Sequence, residues 1–489
     1  MKFKENLETQ ILIIGGGGSG LAAAVAAAEQ GAKVIVLEKR SRCGGNTALA
    51  HDIFAAESPV QKRAGFDVLR DDCFRIAMGY SHWRIDPKIA RIWIDKSGDT
   101  IRWLEEKGLT FEIAGYGKMY LDHRYPPPGH LVGGKKGGLA LTETLAKNAK
   151  NLGVQIFCDT GAQELITDKT GKVTGVIASK KDGQQIRIKA AIVIIATGGY
   201  GGNAALMKKY NPYYHENIKL AGVPCMGDGL LMTTKVGAAT EGLGILHVES
   251  ACLTPGVPEA IHTLAIEPQT IWVNKQGERF VDESVIFGHS GHMAFEAAMA
   301  IVRQPECICY TLLDEKLKQE YITTGSTVGW AGTRPGVPQP YLEEMIQKAS
   351  EKGKIKISSS WDDIAAWIGA KPEVLRTTVD EYNEFCDQKH DAFFVKDKHY
   401  LVPLRTPPYY AIVFHPRNLG TIGGIKINYR MEVVDKDNNP IPGLYAVGQD
   451  TGGWQPETYN QVLAGSAFGF AINSGRIAGE NAVKCIRAK

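Results

Sequence analysis

Gly15-x-Gly17-x-x-Gly20 stands between the apolar run at 9–14 and the small-residue run at 18–31, and Glu38 follows 23 residues after the first glycine. Glycines at this spacing make a tight turn and let a pyrophosphate reach the free N–H groups of a helix N-terminus. The acidic residue at the next strand end accepts from ribose hydroxyls. A structural turn with a surface glutamate is the plainer alternative. The strand–turn–helix context favours a bound dinucleotide. Four more glycine turns follow: Gly44-Gly45-Asn46-Thr47, Thr197-Gly198-Gly199, Gly227-Asp228-Gly229 and Gly448-Gln449-Asp450-Thr451-Gly452-Gly453. Any one would serve as a plain loop. Set at strand ends, where ligands of open α/β sheets bind, the five together point to one elongated cofactor, larger than a nicotinamide dinucleotide. Groups that could polarise a carbonyl or move a proton sit close by in sequence. They are Tyr459, between the last turn and a helix expected near Ser466, and His51 and Asp52, just past the second turn. His289 and His292 could donate a proton at neutral pH or lie on the surface, and their spacing makes no persuasive metal site.

These groups need a scaffold, and the chain carries one. Residues 9–14 and 33–38 read as buried strands flanking a helix at 18–31, a βαβ unit of a parallel sheet. Asp86-Pro87 caps a helix that stops at Gly108, and 116–138, rich in Gly, Pro, Tyr and His, reads as loop. Strands are expected at 173–179 and 185–196, joined by an Asp182-Gly183 turn. From about 240 the pattern breaks into short segments with charged helices at 340–351 and 371–388. Pro407-Pro408 marks the return to a buried strand at 441–447 and the final helix.

Composition narrows the function. The 489 residues allow two or three domains. Hydrophobic residues at 44% and charged residues at 22% describe a globular chain, not a disordered one. With 56 basic against 53 acidic residues, the net charge of +3 gives no electrostatic support for nucleic-acid binding. The nine cysteines are scattered, with no C-x-x-C, which argues against a disulfide framework, an iron–sulfur cluster or attached haem and predicts reduced thiols in a cytoplasmic protein. Ile11–Ala28 is 18 residues without a charge, close to a membrane span in length. Four consecutive glycines in its middle break a helix, so no membrane span is expected.

The motifs occur in a familiar order. Gly-x-Gly-x-x-Gly with Glu38, GGNT at 44–47, ATGGY at 196–200, GDG at 227–229, NKQGERFVDE at 274–283, TIGG at 421–424 and IPGLYAVG at 441–448 cover nearly the whole chain. The set resembles the fumarate reductase/succinate dehydrogenase flavoprotein family, which includes 3-ketosteroid dehydrogenases and urocanate reductases. The resemblance implies an α/β fold: a Rossmann-like FAD-binding domain (1–240 and 405–489) interrupted by an α+β capping domain (241–404). It also implies FAD held by Gly15, Gly17, Gly18, Ser19, Gly20, Glu38, Lys39, Arg40, Gly44, Gly45, Asn46, Thr47, Ala50, His51, Asp52, Ala162, Thr197, Gly198, Asp228, Gly448, Gln449, Asp450, Ser466, Ala467 and Phe468. Arg279 belongs to the family's R-F-V-x-E run and is expected to be structural.

The departures from that family bear on the reaction. Membrane-bound members link flavin to a histidine where this chain has Asn46, so FAD is expected to be non-covalent. The arginine that donates a proton in soluble fumarate reductases falls on Phe287. Their paired histidines fall on Leu419 and Gly420, their substrate arginine on Val462, and their relay glutamate on Thr263. Every group that would clamp a dicarboxylate is replaced. Leu419-Gly420-Thr421-x-Gly423-Gly424 resembles the ketosteroid dehydrogenases, which use tyrosines. Tyr125 and Tyr459 are the counterparts of two of them, the spacing after Tyr459 being about two residues longer, and the third falls again on Phe287. Tyr116 and Tyr120 serve equally as loop packing. The expectation is a flavin-dependent ene-reductase or dehydrogenase acting on a hydrophobic cyclic or aromatic carbonyl compound (ketosteroid-, flavonoid- or cinnamate-like). Tyr459 and the N–H of Gly465 are the candidate oxyanion donors. Tyr125, His51, His289 and His292 are further candidates. Fumarate reduction and a non-catalytic electron-transfer subunit are the rivals. No second nucleotide fingerprint is present, so an external electron donor or acceptor is expected.

Overall fold

The computed structural model describes residues 5–113, 129–133, 137–253, 257–287, 294–328 and 333–488. Ile11-Leu12-Ile13-Ile14 has no polar alternation, as expected for a strand buried on both faces of a parallel sheet. That strand, β1 (Glu5–Ile14), pairs in parallel with β2 (Val34–Leu37) on one side and with Gln185–Ile195 on the other. Ile11 lies opposite both Val34 and Ile192. The eight-stranded sheet runs in the order Glu432–Val434, Pro440–Ala446, Gln185–Ile195, β1, β2, Gln155–Phe157, with an antiparallel hairpin added at Thr160–Lys180. This is the expected α/β architecture with its opening βαβ unit.

Between β1 and β2 runs the helix α1 (Gly18–Ala28), every residue of which is buried. Its alanines answer a close neighbour, the C-terminal helix Ser466–Arg487. A Cβ on Gly475 would meet the Ser19 carbonyl oxygen at 2.2 Å, and one on Gly479 the Ala23 oxygen at 2.5 Å. Small residues on both helices let the backbones touch. The C-terminal helix is thereby fixed against the start of α1.

A second, six-stranded sheet is organised on the long strand Tyr409–Thr421, which pairs with Lys219–Leu220, Leu246–Leu253, Cys309–Asp314 and Ile355–Ser358. The chain thus stays in the second sheet beyond Pro407-Pro408 and regains the first at Glu432–Val434. Arg279 is buried here, donating through Nε and Nη2 to Glu283 and through Nη2 to Asp391, all at 2.9 Å. A small antiparallel sheet joins β3 (Asp52–Phe54) to Gly129–Val132 and Phe111–Ile113, so part of the stretch expected as loop is strand. No helix among the described residues is long and apolar enough to cross a membrane.

Candidate active site

The first glycine turn shows which glycines the chain needs for itself. Gly15 has φ +113°, and a Cβ on it would stand 2.1 Å from the Ala196 carbonyl oxygen. A Cβ on Gly20 would stand 2.0 Å from the Gly15 oxygen. Both are required by packing. Gly17 is not: its φ is −77°, and an added Cβ would meet nothing closer than the Gly44 oxygen at 4.0 Å. A glycine facing open space in an ordinary conformation is explained by a ligand that approaches the backbone there. Gly17 also begins α1 without a side-chain cap, leaving the helix N–H groups and dipole to an anion. Beside them the buried Glu38 carboxylate accepts from Gly16 N and Arg40 N, both at 2.8 Å. Lys39 Nζ meets Asp228 Oδ2 at 2.9 Å.

The other turns are tied to this one. Gly44 N donates to Gly16 O at 2.9 Å, and Asn46 Oδ1 accepts from Val223 N at 2.6 Å. Asp450, 1% exposed, accepts from Thr197 Oγ1 (2.7 Å), Gly198 N (2.8 Å) and Gly199 N (3.1 Å). Burial pushes its pKa up, and the three donors pull against that shift. Gly448 N donates to Ser474 Oγ of the C-terminal helix at 3.0 Å.

All five turns contribute to one cleft of about 1610 Å³, mouth included, or stand directly behind its wall. Of the expected contacts, Gly15, Gly17, Gly18, Ser19, Glu38, Lys39, Arg40, Gly45, Asn46, Thr47, Ala50, Ala162, Thr197, Gly198, Asp228, Gln449, Ala467 and Phe468 line it. Gly20, Gly44, His51, Asp52, Gly448, Asp450 and Ser466 do not. Gly20, Gly44, Gly448 and Asp450 shape the turns from behind. Ser466 is buried at the start of the C-terminal helix, accepting from Gln455 Nε2 at 3.3 Å. His51 is exposed, and Asp52 lies on β3. The cleft also takes in residues outside the expected set, chiefly Thr160, Gly161, the 222–226 segment, His247 and Leu419.

Tyr459 is 5% exposed, and its hydroxyl accepts the N–H of Ala467 at 3.4 Å, in the first turn of the C-terminal helix. Burial pushes its pKa up to about 12, against hydrogen bonds from Ser466 and Ala467, so the phenol is neutral at working pH. The N–H groups of Ser466 and Ala467, at the start of the helix, meet this hydroxyl. Gly465 is the left-handed residue before the helix, with φ +77°. A Cβ on it would stand 2.6 Å from Phe54 N, and its carbonyl accepts that N–H at 3.0 Å. Against the ring of Tyr459 lies His247, with centroids 4.6 Å apart and planes at 23°. Burial pushes its imidazole down to about 3, so it too is neutral. Tyr125, His289 and His292 lie outside the described residues, as do Tyr116 and Tyr120.

A family model described as FAD binding domain matches residues 10–461. The chain belongs to the FAD binding domain family. This flavoprotein is similar to the vinyl phenol reductase of Lactiplantibacillus plantarum, 30% identical over 97% of this chain and 96% of that protein. It is 26% identical to the NADH:fumarate oxidoreductase of Klebsiella pneumoniae over 98% of its own length but only 48% of that larger protein. A 3-ketosteroid-Δ4-(5α)-dehydrogenase from Rhodococcus jostii RHA1, solved with 4-androstene-3,17-dione, shares its fold with TM-score 0.73 at 24% identity, over 99% of this chain and 98% of that one. The flavoprotein is therefore an FAD-dependent oxidoreductase.

Proposed function

We propose that the chain transfers hydride between FAD and a C–C bond conjugated to a carbonyl or phenol ring, on an uncharged cyclic or aromatic substrate. The observation that carries this reading is the lining around the 222–224 segment. Asn46, Leu419, Gln449 and His247 meet there, and none of them is charged, because burial holds His247 neutral. Among the described residues, a carboxylate entering this part of the cleft would be stripped of water without a cationic partner. Lys39 and Arg40 stand elsewhere, with Glu38.

When bound, FAD supplies the hydride acceptor or donor at its N5. The chain supplies the rest. The α1 N-terminus and the five turns hold the dinucleotide, and the neutral Tyr459 hydroxyl takes on the charge that develops on the substrate oxygen. That hydroxyl accepts from Ala467 N and, as a neutral phenol, carries a proton of its own to donate. The same groups serve reduction and desaturation, and an external donor or acceptor completes the cycle. The similarity to a vinyl phenol reductase adds 4-vinylphenols to the enones, flavonoids and ketosteroids expected from the residues, whereas the cinnamates of that expectation, being carboxylates, fall outside the proposal. Anaerobic mixing of the reduced holoprotein with these compounds tests the proposal. Reoxidation of flavin by one of them supports it. Reoxidation by fumarate alone overturns it.

A further inference from the structure

His247 sits where a lone histidine on an apolar strand would pass for core, yet three contacts give it a more specific place. It lies on the strand Leu246–Leu253, whose pairing with Tyr409–Thr421 shifts register between His247 and Val248. Such irregularities re-aim a side chain, often beside a site. The imidazole lines the cofactor cleft. Its Nδ1 lies 3.3 Å from Gln449 Nε2, in the turn held by Asp450 and Ser474. With the amide nitrogen donating, Nδ1 accepts and the ring proton is on Nε2. Its face lies on the ring of Tyr459, whose hydroxyl meets the start of the C-terminal helix. The last glycine turn, the imidazole, the phenol and the helix start are thus connected in a single row of contacts.

We propose that His247 is a positioning residue that acts through Tyr459: the imidazole, held by Gln449, fixes the plane of the phenol and with it the direction in which the hydroxyl is presented to substrate. A flat aromatic ring is needed for this. The inference builds on the reading of Tyr459 as donor and goes beyond it, since it makes the pair, and not the tyrosine alone, the working unit.

A double-mutant cycle on the holoprotein tests it, read as the rate of flavin reoxidation by whichever compound oxidises the reduced wild type. His247→Leu is expected to slow that step about tenfold with FAD content unchanged, and His247→Phe to restore most of the rate by restoring a flat ring. The variant carrying both His247→Leu and Tyr459→Phe is expected to be no slower than Tyr459→Phe alone, because the imidazole has nothing left to position. Multiplying effects, a wild-type rate in His247→Leu, or no recovery in His247→Phe would each overturn the proposal. A wild type that no compound reoxidises is a different failure: it removes the proposed reaction and leaves this positioning role without a function.

Discussion

Asp450 anchors the turn at Thr197–Gly199 from behind the cleft, and removing its carboxylate should cost both stability and cofactor. The side chain is 1% exposed and accepts from the Thr197 hydroxyl and the backbone N–H groups of Gly198 and Gly199. In Asp450→Ala the hydroxyl can rotate to another acceptor, whereas the two N–H groups cannot. At about 1–3 kcal/mol for each buried donor left unpaired, the loss comes to about 2–6 kcal/mol. In Asp450→Asn the amide oxygen serves one N–H and the amide nitrogen opposes the other, giving about 1–3 kcal/mol. Against a typical stability of ~5–15 kcal/mol, either loss is readily measured. The assay is urea unfolding of flavin-stripped protein, followed by FAD titration read as quenching of flavin fluorescence. Alanine should be worse than asparagine in unfolding, and both should bind FAD more weakly, since Gly198 and Gln449 line the cleft on either side of the anchored contact. Both variants unfolding within about 0.5 kcal/mol of wild type, with unchanged FAD affinity, would refute the argument.

Gly17→Ala should leave flavin-stripped protein as stable as wild type, because its Cβ meets only the Gly44 oxygen, at 4.0 Å, yet weaken FAD about 5- to 150-fold by overpacking against the ligand. Equal loss of stability and affinity would return Gly17 to a packing role. Tyr459→Phe keeps the ring on His247 and removes one donor, so turnover should fall by about 10²–10³ with FAD retained; near-wild-type turnover would move the donor elsewhere. Acid precipitation should leave the flavin in the supernatant, since Asn46 makes no histidyl link; yellow pellets would contradict this. His247 and His415 are held by burial near 3 and about 4, below the ordinary 6.5. The unfolded chain therefore binds their protons first, and stability should fall as pH drops from about 6.5, by up to ~1.4 kcal/mol per unit for each histidine. In His247→Phe and His415→Phe, which remove one titration each, the fall in urea midpoint from pH 7 to pH 5 should be smaller than in wild type; equal falls would show that neither imidazole is buried as described.

The turn at Gly15 and the strand and helix around it were legible because every feature is local. An apolar strand, a glycine whose φ is positive and a run of small residues are all written within about thirty residues. Glu38 was legible for the same reason. The 222–226 segment was not: it reaches the cleft because Gly222 packs under the Leu419 carbonyl and Val223 N donates to Asn46, contacts made across some 180 to 200 residues of chain. His247 carried no signal either, since a histidine among apolar residues reads as core until the register shift turns it toward Tyr459. His51 looked equally suitable by position, yet it is exposed just before β3. Proximity in sequence to a glycine turn places a residue near the cofactor only when the intervening backbone aims it there.

This flavin site is proposed to accept an uncharged alkene and not a dicarboxylate. Stopped-flow oxidation of the dithionite-reduced holoprotein, without oxygen, compares the two directly at equal concentration: 4-vinylphenols and enones in one set of runs, fumarate in the other. Oxidised-flavin absorbance is expected to return with at least one uncharged compound and not with fumarate. Rapid return with fumarate, and none with the uncharged set, would contradict it.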